Sequence, residues 1–142
     1  MSYVGYPSVE IGYFDFTFTG NISTNDYINI NAVDNDISGS SITGSNTLNL
    51  PAGDYLIKAY VGASRTNPSD TFTFQIESDS SLVGAIGAQI TMATTREQPS
   101  DHAYAQISKT SSNSIKIKVI SCTATSWTVD QDYGYLLIIR SF

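Results

Sequence analysis

Residues 47–62 read TLNLPAGDYLIKAYVG and predict two strands joined by a tight turn. The turn is Pro51-Ala52-Gly53-Asp54, because proline fixes one backbone angle and glycine tolerates a positive one. From Asp54 to Gly62 the side chains alternate between two faces, which is the period of a strand. Neither face is strongly polar, so this strand is predicted to be buried on both sides. One face carries Tyr55, Ile57, Ala59 and Val61, and the other carries Leu56, Lys58 and Tyr60.

The same period of two recurs along the rest of the chain. Ile11 to Thr19 places Phe14, Phe16 and Phe18 on one face. Further strands are predicted at residues 27–32 (with Ile28, Ile30 and Ala32 inward), 71–77, 82–92, 102–108, 114–121, 126–129 and 133–142.

Two segments depart from simple alternation. Residues 82–92 could also form a helix, but Gly84 and Gly87 weaken a short helix and favour a strand. Asp34 to Asn46 is predicted to be a loop anchored by Ile37 and Ile42. The total of about nine or ten strands, separated by turn residues, predicts an all-β, antiparallel β-sandwich or jelly roll.

The composition supports an all-β domain with an unusual surface. The chain has 142 residues, enough for one domain, and only 14% of them are charged, where about a quarter is usual. Serine, threonine and asparagine, with 20, 15 and 9 copies, must therefore supply the polar surface. Three glutamates cannot cover many helices. Because interface cores are poor in charge and rich in tyrosine, the composition also indicates a surface covered by other protein chains.

Charge and cysteine content exclude several classes of function. The net charge of -6 disfavours nucleic acid as a partner, because a binder needs a basic stripe. The single cysteine allows no intrachain disulfide. Met1 is followed by neither a basic nor an apolar segment, so no secretory signal is expected, and no apolar run of about 18 residues predicts a membrane span.

The sequence offers few candidates for catalysis or metal binding. His102 and Cys122 are the only histidine and cysteine, too few for a zinc site. His102 is interpreted as a loop or strand-edge residue and Cys122 as a small buried residue. Asp34, Asp36 and Ser38 resemble the start of a calcium loop, but Ser45 stands where that loop needs glutamate. We therefore predict no metal and no cofactor.

Paired carboxylates are equally unpromising. Asp130 and Asp132 could serve glycoside hydrolysis only within a cleft, and a solvated turn is the better interpretation. No enzyme is predicted. The alternative, an enzyme of unrecognised type, would be favoured by a pocket that holds His102 near a carboxylate and a hydroxyl.

Three segments resemble one family. Leu48 to Ile57 is similar to the tumour-necrosis-factor-like trimeric jelly rolls, a group that includes complement globular heads, in which a leucine-proline-x-glycine-x-tyrosine motif opens a central strand. Tyr133 to Ile139 resembles their C-terminal strand, and Ser114 to Val119 resembles their penultimate long strand. The resemblance covers about residues 47–142.

The resemblance implies a homotrimer around a threefold axis. It places the second face of the central strand, and parts of the last strand, at the interface. The expected trimer-interface residues are Leu56, Lys58, Tyr60, Tyr133, Tyr135, Leu137 and Ile139.

Members of this family that are rich in Ser, Thr and Asn look like bacteriophage virion proteins. The resemblance therefore implies a capsid cement (decoration) protein, made in the bacterial host cytoplasm, that stabilises the virion shell by binding the major capsid protein. The alternative is a tail-fibre or appendage domain that binds a host-surface receptor or glycan. A chain that begins at Met1, with a sandwich starting by Ile11, favours the cement protein.

Residues 1–10 are interpreted as an N-terminal arm preceding a jelly-roll domain at 11–142. The arm has no clean period but carries more apolar surface than an idle tail would show. The residues expected to dock on the capsid are Tyr3, Val4, Tyr6 and Val9. The alternative is that the arm is an extra edge strand or a disordered terminus.

Overall fold

The computed structural model describes residues 8–64, 71–90, 100–122 and 127–141. Within these residues there are thirteen strands and one short 3-10 turn, Gln131–Tyr133, so the predicted all-β class is confirmed. The strands are β1 (Val9–Thr17), β2 (Asn29–Asn35), β3 (Ser41–Thr43), β4 (Thr47–Leu50), β5 (Gly53–Tyr60), β6 (Ala63–Ser64), β7 (Thr71–Ser78), β8 (Ser81–Ile90), β9 (Ser100–Asp101), β10 (Ala103–Lys109), β11 (Asn113–Cys122), β12 (Thr128–Val129) and β13 (Tyr135–Ser141). No helix in the described ranges is long and apolar enough to cross a bilayer.

The strands form two layers that are joined along one side. The front sheet has the order β2-β1-β13-β5-β10, and the back sheet has the order β8-β7-β11-β4-β3. β8 connects the layers because it pairs with β10 at Tyr104–Ala85 and with β7 along most of its length. β6 and β12 form a separate small pair. All pairings are antiparallel.

The core lies between the two sheets and is built from the inward face of each strand. On β5, β7 and β11 the apolar side chains that alternation puts on one face all point to the core and are buried. Burying each large side chain contributes about 1.5–3 kcal/mol. The largest fully buried side chains are Trp127, Tyr55, Phe14, Phe16, Phe72, Phe74, Ile22, Ile28, Ile30, Leu48, Leu50 and Ile57.

The start of the chain differs from the prediction at two points. β1 begins at Val9, two residues before Ile11, because Val9 and Glu10 pair with Ser141 and Arg140 of β13. Ala32 was expected to point inward but is exposed. It pairs with the buried Phe14, but it lies on β2, the edge strand of the front sheet, where its side chain is left uncovered.

Residues 34–46 are not a single loop. They contain the end of β2 and all of β3, a three-residue strand that pairs with β4. Ile37 is buried, as predicted for an anchor, and Ile42 packs against the core. Residues 82–92 were correctly favoured as a strand over a helix, and β8 extends from Ser81 to Ile90.

Arg140 and Glu10 form a polar clamp that links β13, the last strand, to β1, the first strand. Arg140 Nη1 donates to Glu10 Oε1 at 2.9 Å, and Arg140 Nη2 donates to the Ala52 carbonyl at 2.7 Å. Glu10 Oε2 accepts from the Ser38 hydroxyl at 2.6 Å. The hydrogen bonds that Ser38 donates are the main reason why the pKa of Glu10 is lowered. The hydrogen bond and the positive charge of Arg140 lower this pKa further, by a smaller amount.

The clamp predicts an acid-dependent loss of stability. Because the pKa of Glu10 is lower in the folded chain, its stabilisation is complete above its unfolded value near 4.5 and is lost as the pH falls through the folded value. We expect Glu10→Gln to lower Tm at pH 7, and the difference from the wild type to shrink below about pH 4.5. Thermal denaturation of both proteins between pH 7 and pH 3 measures this, and a pH-independent difference would contradict it.

Candidate functional site

The outer side of the front sheet carries an ordered array of large side chains. Strands β1, β13, β5 and β10 lie side by side, so residues of equal height form rows across the sheet. One row is Ile11, Ile139, Leu56 and Gln106, and the next is Tyr13, Leu137, Lys58 and Tyr104. We call this surface the front face and define it as Ile11, Tyr13, Leu56, Lys58, Tyr60, His102, Tyr104, Tyr135, Leu137 and Ile139.

Four rings at one end of the front face pack against one another. Tyr13 and Tyr135 stack with centroids 6.1 Å apart, and the rings of Tyr60 and His102 lie 5.3 Å apart. The Tyr135 hydroxyl lies 2.8 Å from His102 Nε2. Burial, and then the neighbouring Tyr13, raise the pKa of Tyr135, so its hydroxyl stays protonated at neutral pH. The contacts hold these rings in fixed orientations, which suits a protein-binding surface.

The front face remains substantially exposed in the single chain. Ile11 is 46% exposed, Tyr13 40% and Tyr104 43%. A second apolar group lies on the adjoining β8, where Leu82 is 47% and Ile86 51% exposed. Exposed apolar patches of this kind mark interaction surfaces on soluble proteins.

The outer side of the remaining back-sheet strands, β3, β4, β7 and β11, has the opposite character. Its side chains are mostly hydroxyls and amides that bond to each other, as Asn49 Nδ2 does to Thr43 Oγ1 at 3.1 Å. Tyr27 donates to Glu77 Oε2 at 3.0 Å, and the ammonium of Lys116 lies 4.7 Å from the Tyr27 ring centroid. Burial, and then Glu77, raise the pKa of Tyr27. This face satisfies its polar groups and suits solvent.

The structure brings six of the seven expected interface residues together. Cross-strand pairs join Tyr135 to Tyr60, Leu137 to Lys58 and Ile139 to Leu56. Tyr133 lies outside the sheet, in the 3-10 turn, and is 60% exposed.

Sequence reasoning missed the contribution of the flanking strands. Ile11 and Tyr13 of β1, His102 just before β10, and Tyr104 of β10 complete the front face. Their outward apolar character is visible in the alternation of each strand. The order in which the strands pair is not, because it depends on contacts between distant segments.

The expected capsid-docking residues are only partly within the described ranges. Val9 opens β1 and is 54% exposed, next to Ile11 on the same side of the sheet. Tyr3, Val4 and Tyr6 lie outside the described residues.

The side chains considered for catalysis or metal binding lie in different parts of the fold. Asp130 accepts from the backbone N–H of Asp132 at 3.2 Å and so caps the 3-10 turn. Cys122 Sγ lies 3.7 Å from the Ile22 carbonyl oxygen, and its side chain is half-buried. Among the described residues, no three His, Cys, Asp or Glu side chains are grouped so that they could hold a metal ion.

That the protein requires no metal stays a prediction. In the segment that resembles a calcium loop, the Ser38 hydroxyl is already bound to Glu10. Millimolar calcium is expected to leave Tm unchanged within about 1 °C, because no metal-bound state adds to the stability. A rise of several degrees that EDTA reverses would contradict this prediction.

Comparison with known proteins identifies the fold. No protein-family model matches the chain, and none of the curated proteins matches it. Solved structures do match. Murine APRIL at pH 5.0 aligns with a TM-score of 0.65 and 9% identity over 94% of this chain and 99% of APRIL. Eiger TNF from S. frugiperda aligns with a TM-score of 0.63 and 9% identity over 95% of this chain and 93% of Eiger. The chain therefore has the jelly-roll fold of tumour-necrosis-factor-like proteins.

Proposed function

We propose that this protein is a structural protein that works as a homotrimer, with the front face buried between its three copies. The observation that carries the proposal is the contrast between the two outer surfaces. The outer side of β3, β4, β7 and β11 carries hydroxyls and amides that bond to one another, whereas the front face exposes Ile11, Tyr13 and Tyr104. A surface of the second kind is stabilised when another chain covers it.

A second copy of this chain is the occupant that the surface favours. Rotational rings are closed by a contact between two different patches, one from each neighbour. The front face and the exposed Leu82 and Ile86 on β8 provide two such patches on different parts of the chain. The family resemblance of the motifs implies three copies, and a permanent interface should bury on the order of 2,000 Å² or more.

We further propose that the trimer is a bacteriophage capsid cement protein that binds the major capsid protein on the virion surface. The family resemblance of the Ser-, Thr- and Asn-rich sequence supports this role. Val9 is exposed at the start of β1, and it lies on the same side of the sheet as the front face. Three weak contacts per trimer would add through effective concentration.

Deletion of residues 2–9 tests the docking segment. We expect the full-length trimer to co-sediment with purified capsids, and the truncated protein to bind at least about tenfold more weakly while keeping its trimer mass. Undiminished binding would move the docking surface to the sandwich loops. A full-length protein that does not bind capsids would contradict the cement role.

One observation favours the alternative, a tail-fibre or appendage domain that binds a receptor or glycan. A groove of about 590 Å³ lies at one end of the front face. Its polar lining of carboxylate, amide and hydroxyl suits the hydroxyls of a sugar. The lining includes Asp54, Gln106, Ser108 and Ser141, with Leu56 and Ile139 beside them. Binding to host cells that is lost in Gln106→Ala, without binding to capsids, would favour this function.

A further inference from the structure

One cationic side chain lacks the partner that the others have. The described ranges contain five lysines and arginines, and four of them have a partner. Lys109 lies 3.0 Å from Asp79, and Arg140 lies 2.9 Å from Glu10. The ammonium groups of Lys116 and Lys118 lie 4.7 and 5.8 Å from the Tyr27 ring centroid. Lys58 has no ion pair, hydrogen bond or ring contact from its side chain within those ranges. It is also the cation that lies on the front face.

The surroundings of Lys58 offer it no carboxylate. Leu56 and Tyr60 flank it on its own strand, and Leu137 and Tyr104 face it from β13 and β10. A lysine ammonium carries a positive charge and three donors, and these leucine and tyrosine neighbours carry no negative charge at neutral pH. The counter-charge must therefore come from outside this group of residues.

Two carboxylates on the outer side of the front sheet make hydrogen bonds elsewhere, although the buried Oδ1 of Asp15 has no hydrogen-bond partner among the described residues. Asp54, two rows away on the same strand, accepts from the Ser108 hydroxyl. Asp15, on β1, accepts from Gln131 Nε2 at 2.8 Å. Neither is a cross-strand neighbour of Lys58.

We propose that Lys58 is an oxyanion-binding residue of the assembled protein, an inference that rests on the proposed homotrimer. Covering the front face removes water from the ammonium, and a buried charge without a partner is strongly unfavourable. The ammonium therefore pairs with an oxyanion enclosed between copies. That oxyanion is either a carboxylate of the neighbouring copy or a free anion of the phosphate class. Tyr60 and Tyr104 add phenolic O–H donors beside it.

The experiment compares the wild type with Lys58→Met and with Lys118→Met. The second variant removes the same charge from the back sheet and serves as the control. Trimer dissociation is measured by sedimentation equilibrium, and Tm by calorimetry, in sodium chloride and in sodium phosphate at equal ionic strength.

The two sources of the oxyanion give different results. A free anion predicts that phosphate raises the Tm of the wild type and of Lys118→Met by at least about 3 °C over chloride, but not that of Lys58→Met. A neighbouring carboxylate predicts no phosphate effect, but about tenfold or greater dissociation of Lys58→Met alone.

Two further results would overturn the inference. If Lys58→Met associates as tightly as the wild type and phosphate does not change Tm, Lys58 binds no oxyanion. The proposed homotrimer is unaffected by that result. If the wild type sediments as a monomer in both salts, the proposed homotrimer fails and this inference fails with it.

Discussion

Replacement of Tyr60 by glutamate is expected to convert the trimer into folded monomers. Tyr60 lies in the ring cluster at one end of the front face, beside Tyr135 and His102, while Ala59 and Val61 point to the core. An unpaired carboxylate at a buried interface costs several kcal/mol, which weakens association by about a hundredfold or more. Sedimentation velocity reports the mass, and the circular dichroism spectrum reports the fold.

Two variants control for other effects of this substitution. Tyr60→Phe keeps the ring and removes only the hydroxyl, so it should remain trimeric. Thr43→Glu adds the same charge to an exposed position on β3 and should also remain trimeric. A Tyr60→Glu protein that stays trimeric with unchanged melting would mean that the front face is not the interface.

Replacement of Gly84 by alanine is expected to cause the largest loss of folding stability. Gly84 has φ of +73°, and a Cβ atom added there would lie 1.9 Å from the Tyr104 carbonyl oxygen. The close contact occurs where β8 leaves the back sheet to pair with β10. The left-handed backbone alone costs about 1–2 kcal/mol, and the clash should bring the total above about 3 kcal/mol.

Gly44→Ala is the matched control for this change. Gly44 also has a positive φ, +57°, but an added Cβ would meet nothing within 4 Å. Urea denaturation should therefore show a loss of about 1–2 kcal/mol for Gly44→Ala and at least about twice that for Gly84→Ala. Equal losses would mean that the approach of β8 to Tyr104 is not tight in solution.

Much of the fold was predictable from local pattern. The alternation of Tyr55, Ile57, Ala59 and Val61 correctly assigned the buried side of β5, because a strand with one core-facing side repeats every two residues. Gly84 and Gly87 argued correctly against a helix, and both prove to lie at close approaches of backbone or ring. Local pattern failed at Ala32, because alternation gives the side of the sheet but not whether that side is covered at an edge strand.

The candidate site was only half predictable. Alternation placed Leu56 and Lys58 on one face of their strand, and the family resemblance assigned that face to the interface. That Tyr13 and Tyr104 share this surface depends on the pairing order β1-β13-β5-β10, which joins segments far apart in the sequence. Tyr133 was grouped with Tyr135 by its position in the last apolar segment, but the 3-10 turn ending at Tyr133 separates the two.

The mass of the wild-type protein in solution is the most direct test of the central proposal. Sedimentation equilibrium at micromolar concentration should give three times the chain mass of 15.4 kDa, or about 46 kDa, with no dissociation on moderate dilution. A single species at the mass of one chain would contradict the account, because the front face would then be exposed to solvent.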